Sequence, residues 1–167
     1  MMSTHPVTIF YRSLAQLSAM LDKTGTAPQL LAARLHPDML PFAQQVRAAV
    51  SFSLRGCCPL AGLDVADFRA AASLQEQVAQ TMRYLKAIPA ERFDGPGDRI
   101  CRDRAGFADI ALPADEYLNL YILPNFYFHF SMAYAIARSQ GAVIGKGDFD
   151  GYHAYAPGFS FETRGGA

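Results

Sequence analysis

Apolar side chains recur at steps of three and four residues along four stretches of the chain, the spacing of one face of an α-helix. The stretches cover residues 5–23, residues 38–54, a segment that begins near residue 64 or 67 and ends near 88, and residues 113–140. Connections that contain Pro and Gly separate them. The pattern predicts an all-α fold, an antiparallel four-helix bundle whose longer connections leave room for a crossover.

The connections between these helices carry weaker signals. A short helical piece is predicted at residues 29–34, before the second helix, for which Asp38 is a candidate N-terminal cap and Gly56 with Pro59 a boundary. Alternating apolar and polar residues after a Gly-Pro-Gly turn predict a short β-hairpin near residues 98–111. The glycine- and aromatic-rich tail, residues 142–167, is expected to lie across the bundle surface.

The last predicted helix is apolar on nearly all sides, which is typical of a helix at the centre of a bundle or at an interface between bundles. Pro124 falls inside it and should kink or split it. Polar residues interrupt its most apolar part often enough to exclude the run of about 18 apolar residues that a membrane span requires. We therefore expect a buried or dimer-forming helix and no membrane.

Composition and charge narrow the class of protein. The chain has 167 residues, enough for one domain, and 15 basic residues balance 15 acidic ones. A net charge near zero disfavours nucleic acid as a partner. It also means that two copies of the chain repel each other little, so a homodimer is expected. Three cysteines, two of them adjacent, are not a disulfide framework. With no secretory signal pattern at the N-terminus, we expect a cytoplasmic protein.

One polar cluster on the last helix is a candidate for chemistry. Asn125 and His129 are four residues apart, which places both side chains on one helical face, about 5–6 Å apart at Cβ. His36 and Asp38, at the start of the second helix, could approach them across the bundle, and one of Gln44 and Gln45, one or two turns on, could face inward. The alternative is that His129 is a core residue that hydrogen-bonds a neighbour, with Asp38 a cap and His36 a solvated loop residue.

The chain resembles an uncharacterised domain-of-unknown-function family of the DinB-like (DinB/YfiT-like metalloenzyme) superfamily, which is bacterial. The matching stretches, from residue 8 to residue 150, are "TIFYRSLAQLSAML", "LLAARLHPDMLPFAQQVRAA", "FDGPGDR" and "LPNFYFHFSMAYAIARSQGAVIGKGDF". The resemblance implies one DinB-like four-helix domain, residues 1–167, with a crossover connection and often a dimer. The tail, residues 151–167, lies outside it.

DinB-like proteins typically hold a divalent metal with three histidines, one on the second helix and two at four-residue spacing on the last. The resemblance places His129 at the second position of that pair and Asn125 at the first, with His36, Asp38 or Gln45 as counterparts on the second helix. It implies a metal site of His129, Asn125 and His36 for zinc, nickel or iron. Asn125 departs from this pattern, because a neutral amide is a weaker ligand for a transition metal than imidazole.

Three functions remain open from the sequence. The leading hypothesis is a bundle that binds a small molecule through polar residues, with aromatic walls of Tyr11, Tyr121 and Phe126; the predicted ligand-binding residues are Asp38, Gln45, Asn125, His129 and Tyr121. The second is a metal-dependent thiol transferase or hydrolase, and the third a structural, dimerising bundle without catalysis. Whether the protein is an enzyme, and its cofactor if any, stay open.

Overall fold

Four long helices build the core of the computed structural model, which describes residues 5–95, 99–156 and 159–161. They are α1 (Pro6–Thr24), α3 (Phe42–Leu60), α4 (Leu74–Ala87) and α6 (Leu123–Ser139), and the short helix α2 (Pro28–Ala32) precedes α3. α1 packs against α4, and α3 packs against α6, α4 and α1. The fold is mostly helical, as the sequence predicts.

The second and third predicted helices start later than expected. α3 begins at Phe42, after Pro41, so Asp38 lies outside it and is not its cap. α4 begins at Leu74 rather than near residue 64 or 67. The Ser73 hydroxyl accepts a hydrogen bond from the Glu76 backbone N–H at 3.1 Å, which caps α4 and fixes this later start.

The second helix ends at Leu60, one residue after the predicted boundary at Pro59, but Gly56 lies inside it rather than at its end. A Cβ at Gly56 would lie 2.7 Å from Ile122 and 2.8 Å from the ring of Phe10. Glycine is therefore at this position because neighbouring side chains lie against the backbone, and not because the helix ends there.

The predicted β-hairpin is confirmed. Strands β1 (Ile100–Ala105) and β2 (Ala108–Pro113) pair antiparallel, with Cys101 opposite Leu112 and Ala105 opposite Ala108. Gly106 in the turn has a φ of 60°, a conformation that glycine adopts without strain. The predicted turn before the hairpin lies in part outside the described residues.

The predicted last helix has three consecutive parts, α5 (Ala114–Glu116), a π-helical segment (Tyr117–Ile122) and α6. Pro124 lies at the start of α6, where it has no N–H to donate and its ring crowds the carbonyl one turn earlier. The wider π turn accommodates that ring, and the Leu123 N–H bonds to the Leu118 carbonyl instead. Pro124 thus changes the hydrogen bonding of the helix, but the backbone stays helical from Ala114 to Ser139, so the helix is not split in two.

A short helix that the sequence did not predict, α7 (Lys146–Asp150), follows α6. Asp148 forms an ion pair with Lys23 of α1, and the Phe149 ring stacks on Phe130 of α6 at 4.3 Å between centroids. Within the parts of the chain that the structure describes, no helix combines the length and apolar character needed to cross a membrane.

Candidate functional site

The side chains of Gln45 and His129 meet where α3 packs against α6. Gln45 is 1% exposed, and its Oε1 lies 2.7 Å from Nδ1 of His129. The Gln45 Nε2 donates a hydrogen bond to the backbone carbonyl of Leu40 at 3.2 Å. Two residues that are 84 positions apart are thus joined by a direct hydrogen bond, and both were candidates from the sequence.

This hydrogen bond determines which nitrogen of His129 carries the proton. The Leu40 carbonyl can only accept, so it orients the Gln45 amide with Oε1 toward the imidazole. An amide oxygen can only accept as well, so Nδ1 of His129 is the donor and Nε2 of the neutral ring keeps its lone pair. No described residue hydrogen-bonds that Nε2. The protein also does not enclose this nitrogen completely, so it keeps access to solvent.

The surroundings of His129 favour its neutral form. Burial lowers the pKa of the imidazole, and the positive charge of Arg55 lowers that pKa further. The Phe52 ring stacks on the imidazole, with 5.5 Å between centroids and 21° between planes, and Phe128 contacts it edge-on. A neutral imidazole with a free Nε2 accepts hydrogen bonds, coordinates cations or accepts protons.

Asn125 and Tyr121 lie on the turns that precede His129. The Asn125 Nδ2 donates to the Tyr121 carbonyl at 2.8 Å, which leaves the amide Oδ1 without a partner among the described residues. The Tyr121 ring packs edge-on against Phe52 at 5.9 Å, on the ring that stacks on His129. The structure thus connects four of the predicted ligand-binding residues through direct contacts or through Phe52.

A polar network around Arg55, which the sequence did not predict, continues from this site. The Arg55 guanidinium lies 4.3 Å from the Phe52 ring centroid and forms an ion pair with Asp103 of β1 at 2.8 Å. It also donates to the Tyr121 hydroxyl at 2.6 Å, while the Tyr117 hydroxyl donates to Asp103 at 2.8 Å. Burial and the Asp103 carboxylate raise the pKa of Tyr117, which therefore remains a hydrogen-bond donor.

The structure does not bring His36 and Asp38 to this cluster. Their side chains bond each other in the loop before α3 and are 65% and 82% exposed. Among the described residues no group of three or more His, Cys, Asp and Glu side chains is placed to hold a metal. The donors around His129 therefore do not fit a three-ligand transition-metal site. The metal site of His129, Asn125 and His36 stays a prediction.

The aromatic walls that the sequence suggested are only partly at this site. Tyr121 lies there, but Phe126 is fully buried and packs against Phe10, and the Lys86 ammonium lies 5.8 Å from the Tyr11 ring centroid. Phe52, which stacks on His129, was not predicted to contribute. Its place could have been anticipated from its helical spacing to Gln45, two turns away on α3.

The adjacent cysteines near the end of α3 are packed residues. Cys57 and Cys58 are both fully buried, and burial raises the pKa of the Cys57 thiol. A thiol in this state is a weak nucleophile, because the thiolate is the reactive form.

Comparisons with known proteins agree with this architecture. A family model described as a domain of unknown function, DUF1993, matches residues 2–150. The chain is similar to a DinB family member protein from Shewanella denitrificans, whose crystal structure superposes with a TM-score of 0.76 at 26% sequence identity, over 90% of this chain and 92% of that chain. No curated protein matches the chain.

Proposed function

The chain belongs to the DUF1993 family and has a DinB-like fold, and we propose that it binds a small molecule at His129. The observation that carries the proposal is the hydrogen bond from His129 Nδ1–H to Gln45, because it holds the imidazole in the tautomer that presents the Nε2 lone pair. Because that Nε2 is accessible and has no partner among the described residues, it can accept a hydrogen bond from a ligand.

The unpaired atoms define the class of ligand. His129 Nε2 and Asn125 Oδ1 are both hydrogen-bond acceptors, one helical turn apart on α6. Arg55 lies near enough to lower the pKa of His129 and therefore also disfavours a cationic ligand. Phe128, which is 51% exposed, offers an apolar surface beside them. The ligand that fits is a neutral molecule with N–H or O–H donors and a flat apolar part, such as a phenol, an amide or a urea.

A fragment screen by NMR tests this proposal. Neutral phenols, amides and ureas are titrated into protein with ¹⁵N-labelled histidine, and the Nε2 resonance of His129 is followed. We expect a subset to shift that resonance saturably and to lose binding in His129→Ala. His153→Ala, a change to a histidine near the tail, is the matched control. Absence of any saturable shift at Nε2, or equal binding to both variants, contradicts the proposal.

A metal-dependent thiol transferase or hydrolase is the second candidate. The accessible Nε2 lone pair of His129 favours it, whereas the charge of Arg55 and the exposed position of His36, paired with Asp38, count against it. Titration with Zn²⁺ and Ni²⁺, followed by elemental analysis, separates it from the first. Near-stoichiometric metal that is lost in both His129→Ala and His36→Ala would support the metal site. Metal that is equal in the wild type and in His129→Ala would count against it.

Self-association of a second copy through α6 and the π-helical segment is a further part of the proposal. Leu120 is 71% exposed, and Phe128 and Tyr127 are 51% and 38% exposed, so this part of the chain presents apolar side chains to solvent. Sedimentation of the wild type and of Leu120→Glu tests it. A wild-type dimer that becomes a monomer in Leu120→Glu supports self-association through this surface, whereas a monomeric wild type refutes it.

A further inference from the structure

A cleft that does not include His129 lies between α3, α4 and the segment that joins them. Its volume is about 320 Å³, in the range of small-molecule sites. Apolar side chains form much of its lining, namely Val50, Leu54, Val65, Ala66 and Phe68. The joining segment is held in place by Phe68, whose ring packs edge-on against Tyr84 of α4 at 5.7 Å between centroids.

A buried amide without a partner lines this cleft. Gln77 of α4 is 5% exposed, yet no described residue hydrogen-bonds its side chain. Of the three other buried polar residues, Gln45 and Ser53 have hydrogen-bond partners, whereas the fully enclosed Thr81 hydroxyl has none among the described residues. With no protein partner, the Gln77 amide can hydrogen-bond only to water or to a molecule in the cleft. Because the protein does not enclose the Gln77 amide completely, a molecule in the cleft can reach it.

The charge of the cleft favours an anion. Arg47 and Arg69 line it together with Asp67, which gives a formal net charge of +1 from two cations and one carboxylate. Arg69 and Asp67 neutralise each other in an ion pair at 2.7 Å. Arg47 has no ion-pair or hydrogen-bond partner among the described residues, so its guanidinium is available to a ligand.

From these observations we propose that this cleft binds a small monocarboxylate with an apolar body. The apolar lining receives the body, while the Arg47 guanidinium and the Gln77 Nε2 donate hydrogen bonds to the carboxylate. Ser51, which also lines the cleft, has a hydroxyl that can serve as a further donor. The site shares no lining residue with the His129 cluster, so it stands independently of the function proposed for that cluster.

Titration of the full-length protein with octanoate tests the proposal, with octanol as the uncharged probe of the same chain length. Binding is measured by calorimetry and located by the methyl NMR signals of Val50, Leu54 and Val65. We expect saturable octanoate binding with shifts at these methyl groups, and weaker binding of octanol. Arg47→Gln and Gln77→Leu should each weaken octanoate binding about tenfold, which corresponds to about 1.4 kcal/mol.

Matched variants distinguish the site from general effects of charge and polarity. Arg102→Gln removes a surface cation from β1, and Gln75→Leu makes the same amide-to-leucine change on α4 outside the lining of the cleft. Both should bind octanoate as the wild type does. Absence of saturable binding, equal binding of octanol, or unchanged binding in Arg47→Gln would overturn the proposal. Because Arg47 is exposed, its variant gives a clear answer even where Gln77→Leu alters the fold.

Discussion

Replacement of Gln45 by leucine tests the hydrogen bond on which the account of His129 depends. The substitution introduces an apolar side chain of similar size at a position that is 1% exposed, and removes the acceptor 2.7 Å from His129 Nδ1. It also removes the donor to the Leu40 carbonyl, which lies at the more exposed edge of the site. The imidazole then has a buried Nδ1 without a partner, whereas the Leu40 carbonyl can turn to water.

The cost follows from this unpaired nitrogen. A buried polar atom without a partner destabilises a protein by about 1–3 kcal/mol, and the greater apolarity of leucine offsets part of that. We therefore expect a loss of roughly 1–2 kcal/mol in the free energy of unfolding, and a fall in Tm of about 2–8 °C for a chain of this length. Denaturant unfolding and calorimetry at neutral pH measure both quantities.

A neighbouring glutamine provides the control. Gln44 is exposed and no described residue hydrogen-bonds its side chain, so Gln44→Leu should leave Tm nearly unchanged. Gln45→Glu should raise the pKa of His129, because a carboxylate beside Nδ1 stabilises the imidazolium. If Gln45→Leu and Gln44→Leu unfold at the same temperature as the wild type, the bond between Gln45 and His129 has no energetic role and the reasoning fails.

Three further predictions concern stability. Asp103→Ala leaves the Arg55 cation without its carboxylate, and urea unfolding should show a loss of about 3 kcal/mol in stability. This is the low end for buried ion pairs, because the Arg55 and Asp103 side chains are 20% and 16% exposed. Gly56→Ala should cost about 1–3 kcal/mol in the same assay, since the new methyl group would lie 2.8 Å from Phe10. The lowered pKa of His129 means that the unfolded chain takes up a proton first, so the wild type should lose stability more steeply than His129→Gln as pH falls below about 6.5. Each is contradicted by a variant that matches the wild type.

The helical fold could be predicted because the apolar period of α1, α3 and α4, and the apolar character of α6, are local properties of the sequence. The errors arose where tertiary contacts and capping hydrogen bonds determine where a helix begins or ends. Gly56 looked like a helix end, yet it lies inside α3 because Ile122 and Phe10 occupy the space that a side chain would need. Helix α4 starts later than its apolar pattern suggested, because Ser73 supplies the cap.

The site could be predicted only in part. His129 and Gln45 were candidates because a polar residue on an apolar helix face needs a partner across the bundle. The network of Arg55, Asp103 and Tyr117 could not be predicted, because it forms only when the hairpin docks against α3, and no local pattern encodes that docking. The burial of Gln77 could not be predicted either, because nothing in the sequence distinguishes it from a solvent-exposed glutamine on α4.

The tautomer and pKa of His129 test the central claim most directly. Long-range ¹H–¹⁵N NMR of histidine-labelled protein distinguishes a protonated Nδ1 from a protonated Nε2 and follows both with pH. We expect a neutral ring with the proton on Nδ1, an unprotonated Nε2, and a pKa below the ordinary value of about 6.5. A neutral ring that carries its proton on Nε2, or a pKa above that value, would contradict the site as described.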